Sequence, residues 1–506
     1  MSKFNDKYGN KSAFHQADSQ YKPLKKRSIK AVASPQNIEQ EKSHGVEGEF
    51  KKKENFFNVK SKNMHDLTKQ RKFYSNSLLE VPSSNFTADL AQLINIINEL
   101  FPIKSQHRRS LPNDVHELSL ILTEERARLK TPYWAAPRFL SAYLRYFLPW
   151  NLVRLAWLFP KLDLSLKNGS TILDCGSGPL TLPIALWLHR PDLRSLKLNF
   201  VCTDTGSSAL EAGKQLFTEY TGGKSSWSFK TIRSNLGQSL AHFRKPEHKA
   251  DLIMLGNMLN ELSTGNREPL DQLLGQLSVN LQKALNPKGQ VLVVEPGTRL
   301  GSKLTTNLRF HALRTGYEVL SPCTHQEPCP LLDPAARSWC HFSFPVLEVP
   351  RALSSLSVAA KLEKQRASLA FLFLQNKHIQ DVDSLDDDYF DEDCDLEEYS
   401  ENLDCEAGQR ASANHATFNQ KNTESLKNKT CEARIVSGKI LIPGNKDMAF
   451  TQNPKMIDGR YACTSHGLAL ICPFNKPEGS KVTIRFIGER DKKSGALLAT
   501  EIIAKG

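Results

Sequence analysis

No apolar run of about 18 residues, the length needed to cross a bilayer, occurs in this 506-residue chain. The longest candidate, LRYFLPWNLVRLAWLF, is interrupted by Arg145, Pro149 and Arg154. The N-terminus lacks the apolar core of a secretory signal, and Asp6, Asp18, Glu39 and Glu41 set it apart from acid-poor mitochondrial presequences. A soluble protein with no membrane partner is therefore expected. Cysteine is scarce and unevenly spaced, with 10 in 506 residues, which fits a reducing compartment and argues against a disulfide framework. Solenoid-type repeats are also missing.

What is present begins with charge. The net +13 divides unevenly: residues 1 to 72 hold 17 Lys or Arg against 8 Asp or Glu, a balance of +9, among Asn, Ser and Gln with little periodicity. Such a stretch reads as a disordered basic arm. The segment DVDSLDDDYFDEDCDLEEYSENLDCE, Asp381 to Glu406, carries 14 acids and no base and reads as a solvated acidic insertion continuing into a polar linker. Setting aside +9 and −14 leaves +18 on the rest of the chain, a field suited to a polyanion such as RNA.

Between these stretches the hydrophobic pattern is regular. FTADLAQLINIINELF places Leu90, Leu93, Ile94, Ile97 and Leu100 at helical spacing behind an Asn85 or Thr87 cap, and DVHELSLILTEERARLK continues the helical reading. After Gly169 the pattern changes to short apolar runs, STILDCGSG, LNFVCTD, SFKTIRSN, ADLIMLGN and GQVLVVEPG, separated by helix-like segments. Alternating units of this length predict a doubly wound parallel α/β sheet. From residue 432 onward, ARIVSGKILIPG, GRYACTSHGLALICPF and SKVTIRFIGERD predict a small β-rich appendage.

The first strand runs through Asp174 into Gly176 and Gly178, where the backbone can turn tightly and meet a ligand at a helix N-terminus. Asp204, ending the second strand, is placed to accept the hydroxyls of a ribose, or alternatively to cap the helix that follows. A dinucleotide fingerprint would want a third glycine near Thr181, and none is there. The Asp-x-Gly-x-Gly form resembles S-adenosylmethionine-dependent methyltransferases, with Asp174 near the methionine amine. After the fourth strand the chain reads LGNMLNEL, which lacks the Pro-Pro-aromatic motif of base amino-methylation. Asn257, Asn260 and Glu261 can face the site, but no catalytic residue is assigned.

One stretch, SPCTHQEPCPLLDPAARSWCHF, gathers Cys323, Cys329 and Cys340 beside His325 and His341, with Pro322, Pro328, Pro330 and Pro334 stiffening the loop. Three thiols at this spacing can converge on one metal centre. Cys175 and Cys202 lie inside apolar strands as small hydrophobes, and Cys394 and Cys405 lie in the acidic insertion. Cys431, Cys463 and Cys472 remain as possible fourth ligands. Spacing alone leaves iron–sulfur and zinc open, since either histidine could complete a zinc tetrahedron.

Taken together, LDCGSGP, VVEPGT, the cysteine block, KLEKQRASLAFLFL and RYACTSHGLAL resemble the small-ribosomal-subunit methyltransferase-like family of mitochondrial assembly proteins and their bacterial relatives. That resemblance implies a Rossmann-like methyltransferase fold binding S-adenosylmethionine through Asp174, Gly176, Gly178 and Asp204. It also implies association with small-subunit rRNA and the assembling small ribosomal subunit. A four-iron, four-sulfur cluster held by Cys323, Cys329, Cys340 and Cys463 is implied by position, with zinc as the alternative. A monomer is expected, in the bacterial cytoplasm or the mitochondrial matrix. Methyl transfer to rRNA and a catalytically silent, cofactor-binding assembly role both stay open, with an orphan small-molecule methyltransferase as a further alternative. The expected divisions are a disordered basic arm (1–83), a helical lead-in domain (84–168), a methyltransferase-like domain with the cysteine loop (169–376), a disordered acidic insertion (377–430) and the β-rich appendage (431–506).

Overall fold

The apolar runs after Gly169 form the parallel half of one sheet: β1 Thr171–Cys175, β2 Asn199–Asp204, β3 Ser228–Arg233, β4 Ala250–Gly256 and β5 Leu285–Pro296. Three further strands join it, β6 Tyr317–Ser321, β7 Phe342–Pro345 and β8 Arg366–Asn376. The computed structural model describes residues 64–123, 133–265, 268–333, 336, 338–377, 423–443 and 456–503. Strand order is β3-β2-β1-β4-β5-β8-β6, with β7 on the far end of β8. β1 to β5 run parallel, while β8 is antiparallel to β5, to β6 and to β7. Strand interiors such as Ile172, Leu173, Ile253 and Val293 are fully buried because helices cover both faces. This is the doubly wound sheet of a methyltransferase fold, and its chain order reverses between β1 and β4. Ligands of open α/β sheets bind at such a reversal, beyond the carboxyl ends of the strands.

The helical lead-in supplies helices Phe86–Leu100, Ser105–Thr123, Pro137–Ala142 and Leu148–Leu155. Leu90, Leu93, Ile94 and Ile97 are buried as their spacing predicts. The expected cap is not used. Asn85 occupies the N-cap position without a side-chain hydrogen bond, and the Thr87 hydroxyl donates instead to the Glu348 carbonyl at 2.9 Å. A five-residue π segment, Tyr143–Phe147, interrupts the last two helices, an irregularity frequent at functional sites.

The appendage is a closed barrel. Its strands are β9 Thr430–Ile435, β10 Ile440–Pro443, β11 Met456–Thr464, β12 Gly467–Ile471, β13 Lys481–Arg490 and β14 Leu497–Glu501. β9 pairs with both β11 and β13, β12 runs parallel to β14, and β10 hangs on the edge of β11. Ala433, Ile435, Ile471, Ile484 and Phe486 fill the interior. This is the five-stranded layout of an OB-type barrel, in which the second and third strands form the ligand face. Here β12 lies against the turn Pro330–Leu332 of the cysteine loop, so the barrel's second and third strands meet the methyltransferase part.

Two expected boundaries move. A disordered arm over residues 1–83 fails from Met64 on: Met64–Phe73 is helical, and Leu79 and Val81 are buried in the main core. Residues 76–78 pair with the barrel, Leu78 N donating to Gly479 O at 2.9 Å and Lys481 N to Asn76 O at 3.0 Å. Polar composition hid the Leu78–Val81 segment, whose apolar residues need a partner remote in sequence. Residues 1–63 and most of the acidic insertion, 378–422, lie outside the described residues. The insertion's expected end also shifts, because a short helical turn already begins at Thr423. Among the described residues no helix is long and apolar enough to cross a membrane.

Candidate functional site

β1 delivers Asp174 to the carboxyl edge of the sheet, and the chain turns away through Gly176 and Gly178 at φ of 65° and 52°. A Cβ at Gly176 would stand 3.1 Å from the Met258 sulfur, so the loop is shaped for glycine by space as well as by φ. Leu180 and Asn257 also hold left-handed φ, 56° and 57°, without being glycine. Backbone of this kind persists where surroundings enforce it and clusters at functional sites.

These segments border a pocket of about 400 Å³ lined by Asp174, Gly176 and Thr181 from the loop, Asn257 from beyond β4, and Tyr143 and Arg154 from the lead-in helices. Asp174 is fully buried; one oxygen accepts from the Ser177 hydroxyl and the other has no protein partner. Burial pushes its pKa up to about 7, opposed by Ser177 and reinforced by Asp204. Asn257 Oδ1 is likewise unpartnered. Leaving a buried acceptor unsatisfied costs roughly 1–3 kcal/mol, so both atoms suit a ligand that brings donors. Burial draws the Arg154 guanidinium below its ordinary value, while Tyr143 and Glu295 hold it up. A carboxylate and a guanidinium on the walls of one pocket fit a zwitterion such as the amino-acid end of a cofactor.

Asp204 has both oxygens engaged by backbone. Oδ2 accepts from the Gly178 amide at 2.9 Å and Oδ1 from the Gly206 amide at 2.8 Å. It ties the glycine loop to the end of β2 and does not cap helix Ser207–Tyr220, whose N-cap is Gly206. Each carboxylate oxygen keeps a further lone pair for a hydroxyl donor. Burial raises its pKa, against the amides of Gly206 and Gly178.

Over this corner lies Trp134. A Cβ at Gly206 would stand 2.5 Å from its Cδ1 and one at Gly178 3.3 Å from its Cζ2. The indole is buried and leans on Tyr133 and Tyr143, with ring centroids 4.4 and 4.8 Å away. It thus covers the side where a ribose is expected. A site open only when a cover moves binds with apparent affinity reduced by the closed fraction. Trp134→Ala is accordingly expected to bind an adenosine-containing ligand more tightly in calorimetry, provided circular dichroism shows an intact fold; weaker binding would make Trp134 a stacking partner instead.

The second site is the cysteine block. Cys323 follows β6, Cys329 precedes the turn Pro330–Leu332, Cys340 precedes β7, and Cys463 sits on barrel strand β11. All four line one cavity of about 410 Å³, together with Arg309, Arg434 and apolar walls that include Leu331 and Phe371. Burial pushes the Cys329 thiol up to about 11, with Cys323 adding to it, and pushes Cys340 and Cys463 well up, each reinforced by neighbouring thiols. The thiols are spread over the cavity walls. Among the described residues no group of three or more His, Cys, Asp or Glu is arranged to hold a metal ion. His325 Nε2 lies 3.4 Å from Cys463 Sγ, and burial lowers this imidazole to about 4, so it is neutral. His341 turns away, its Nδ1 3.0 Å from the Trp339 carbonyl. Cys175 and Cys202 are buried within β1 and β2, as their apolar surroundings predict, and Cys472 packs under the barrel.

Several site residues escape sequence reasoning. Arg154 and Pro149 in an apolar run served only to exclude a membrane span, yet a lone arginine in a buried helix was the available signal for the pocket. Trp134, Tyr143, Arg309 and Arg434 carried no local pattern.

The sheet order and the loop after β1 define a protein of the S-adenosylmethionine-dependent methyltransferase class of fold. Residues 169–380, less than half of the chain, match the family described as mitochondrial small ribosomal subunit Rsm22. No curated protein matches the chain in sequence. Among solved structures, a putative SAM-dependent methyltransferase from Streptococcus mutans aligns at 9% identity over 42% of this chain and 46% of its own, with a TM-score of 0.27. A methyltransferase from Pyrococcus furiosus aligns at 16% identity over 42% and 78%, with a TM-score of 0.25. A putative methyltransferase complexed with SAH aligns at 8% identity over 43% and 47%, with a TM-score of 0.27. The chain spans less than half the length of the Streptococcus protein, and the fold assignment rests on the strand order.

Proposed function

We propose that this protein is an assembly factor of the small ribosomal subunit that binds rRNA, holds S-adenosylmethionine beside the glycine loop and anchors a four-iron, four-sulfur cluster on Cys323, Cys329, Cys340 and Cys463. The observation carrying the reading is the meeting of those four cysteines, the last of them more than 120 positions beyond the third, on the walls of one cavity within a chain matched to a ribosomal family. The donor set fits the group: four buried or half-buried thiols, shielded by apolar walls, suit a centre several ångströms across better than a single ion. When bound, S-adenosylmethionine would supply an electrophilic methyl group, and the cluster would supply four irons for the cysteine thiolates to bind.

The chain's own residues have definable tasks. Asp174 accepts from the cofactor ammonium, Arg154 faces its carboxylate, and Asp204 keeps the loop in place while offering its spare lone pairs to the ribose. Trp134 and Tyr143 exclude water. The pocket lining contains no cysteine, so attack on a pyrimidine carbon by a thiolate has no residue here.

Two measurements test the reading. Anaerobically purified protein should be brown, with iron and acid-labile sulfide near about four each; a colourless protein with one zinc would overturn the cluster. Crosslinking and sequencing of bound RNA should enrich small-subunit rRNA, and no enrichment would point to a small-molecule enzyme.

A pH dependence follows from Asp174. With its pKa raised by burial to about 7, it must lose a proton to receive an ammonium. Affinity for S-adenosylhomocysteine should be level above that pH and fall by about tenfold per unit below it. Asp174→Asn should bind more weakly at pH 8 and show a flat profile; an unchanged slope in the variant would remove Asp174 from the amine site.

A further inference from the structure

Two buried guanidiniums face the four cysteines. Arg309, on helix Arg299–Arg314, is 2% exposed and Arg434, on barrel strand β9, is 7% exposed. Arg309 Nη2 donates to the carbonyls of His325 at 2.9 Å and Glu327 at 2.8 Å. Arg434 donates from Nε to the Pro322 carbonyl and from Nη1 to the Gly479 carbonyl, both at 2.8 Å. The loop carrying Cys323 and Cys329 is thus clamped by one arginine from the methyltransferase part and one from the barrel.

Carbonyls satisfy hydrogen bonds but cancel no charge. Glu432, the carboxylate that acts on Arg434, is itself paired with Lys481 at 2.6 Å. Arg309 and Arg434 line the same cavity as Cys323, Cys329, Cys340 and Cys463. Burying a cation without a counter-charge is costly. Four thiolates around an oxidised four-iron, four-sulfur core carry a net charge of about −2, which two guanidiniums balance.

We infer that Arg309 and Arg434 are the counter-charges of the cysteine cavity, one contributed by each domain, and that together they raise the reduction potential of the cluster it holds. This rests on the cluster reading above. One-electron reduction adds a negative charge to the cavity, and a nearby fixed positive charge favours that state. The two residues position and tune; they are not ligands.

The test uses full-length wild type, Arg309→Gln, Arg434→Gln, the double Gln variant and the matching Lys variants, purified anaerobically and titrated with dithionite. Midpoint potentials are read by electron paramagnetic resonance, with iron and sulfide per chain measured on the same samples. Each Gln variant should shift to a more negative potential and the double variant further still, while the Lys variants, which keep the charge but lose the forked clamp, stay near wild type. Should a Gln variant hold no cluster, the comparison passes to iron content, with Lys retaining iron that Gln loses. Lys and Gln variants that behave alike in both readouts would make the arginines clamps only and overturn the inference. Wild type without iron would sink the cluster reading and this one with it, whereas iron-loaded wild type with potentials indifferent to charge would sink this one alone.

Discussion

Cys463→Ser protein is expected to purify with a small fraction of the wild-type iron and with a barrel that protease reaches sooner than in the loaded wild type. Cys463 is the sole one of the four thiols carried by the barrel, paired in register with Arg434 on β9 and Leu468 on β12. Because metal sites form only in the folded state, the binding energy of the group becomes docking energy for the strand that holds it. Packing alone predicts little: serine is close in size, and the change removes one sulfur contact to His325. Other anchors persist, among them Ser77 Oγ to Glu478 O at 2.8 Å and Glu478 Oε2 to the Ser343 amide at 2.5 Å. The barrel should therefore loosen rather than unfold. Hydrogen exchange across β11 and β12 is the decisive measurement. Chelator-stripped wild type should match Cys463→Ser, and both should exchange faster than loaded wild type; equal exchange in all three would separate the barrel from the cysteine site.

Gly213→Ala should lower both thermal stability and affinity for S-adenosylhomocysteine. In an ordinary helix the change would help by about 1 kcal/mol. At this position a Cβ would stand 2.3 Å from the Pro179 carbonyl carbon and 2.6 Å from its oxygen. Those are backbone atoms of the glycine loop, so neither a rotamer change nor a flexible tip relieves the contact. Overpacking typically costs about 1–3 kcal/mol, and displacement of Pro179 also carries Gly178 away from Asp204. The clash wins over the propensity. Gly237, in helix Leu236–His242, is the matched control, since a Cβ there meets only Asn235 Oδ1 at 3.5 Å. Gly237→Ala should hold or raise the melting temperature. A Gly213→Ala protein as stable as Gly237→Ala and binding normally would show that the helix and the loop are not coupled.

The sequence by itself determined the parallel half of the sheet and the loop that follows it. Runs such as STILDC and ADLIMLG can bury both faces only between helices, and glycine at 176 and 178 suits the positive φ the backbone takes there. The presence of a β-rich end and the helical lead-in were legible for the same reason, since period and turn residues are local properties. Tertiary structure alone decided the rest. β8 inserts between β5 and β6 although it follows them both, a pairing that no local pattern encodes. Leu78 to Val81 sit in a polar stretch and take their places through partners remote in sequence, the barrel's Gly479 carbonyl for Leu78 and the main core for Leu79 and Val81. Asp204's place at the end of β2 was local information, but the bonds from the Gly178 and Gly206 amides to its two oxygens, which fix the loop, come only from the folded chain. Trp134, Tyr143 and Arg154 reach the pocket from a domain whose own periodicity speaks only of helices, and Arg309 and Arg434 reach the cysteines from two different domains. Such placements depend on contacts between residues tens to hundreds of positions apart, and their free energy appears only when the chain has closed.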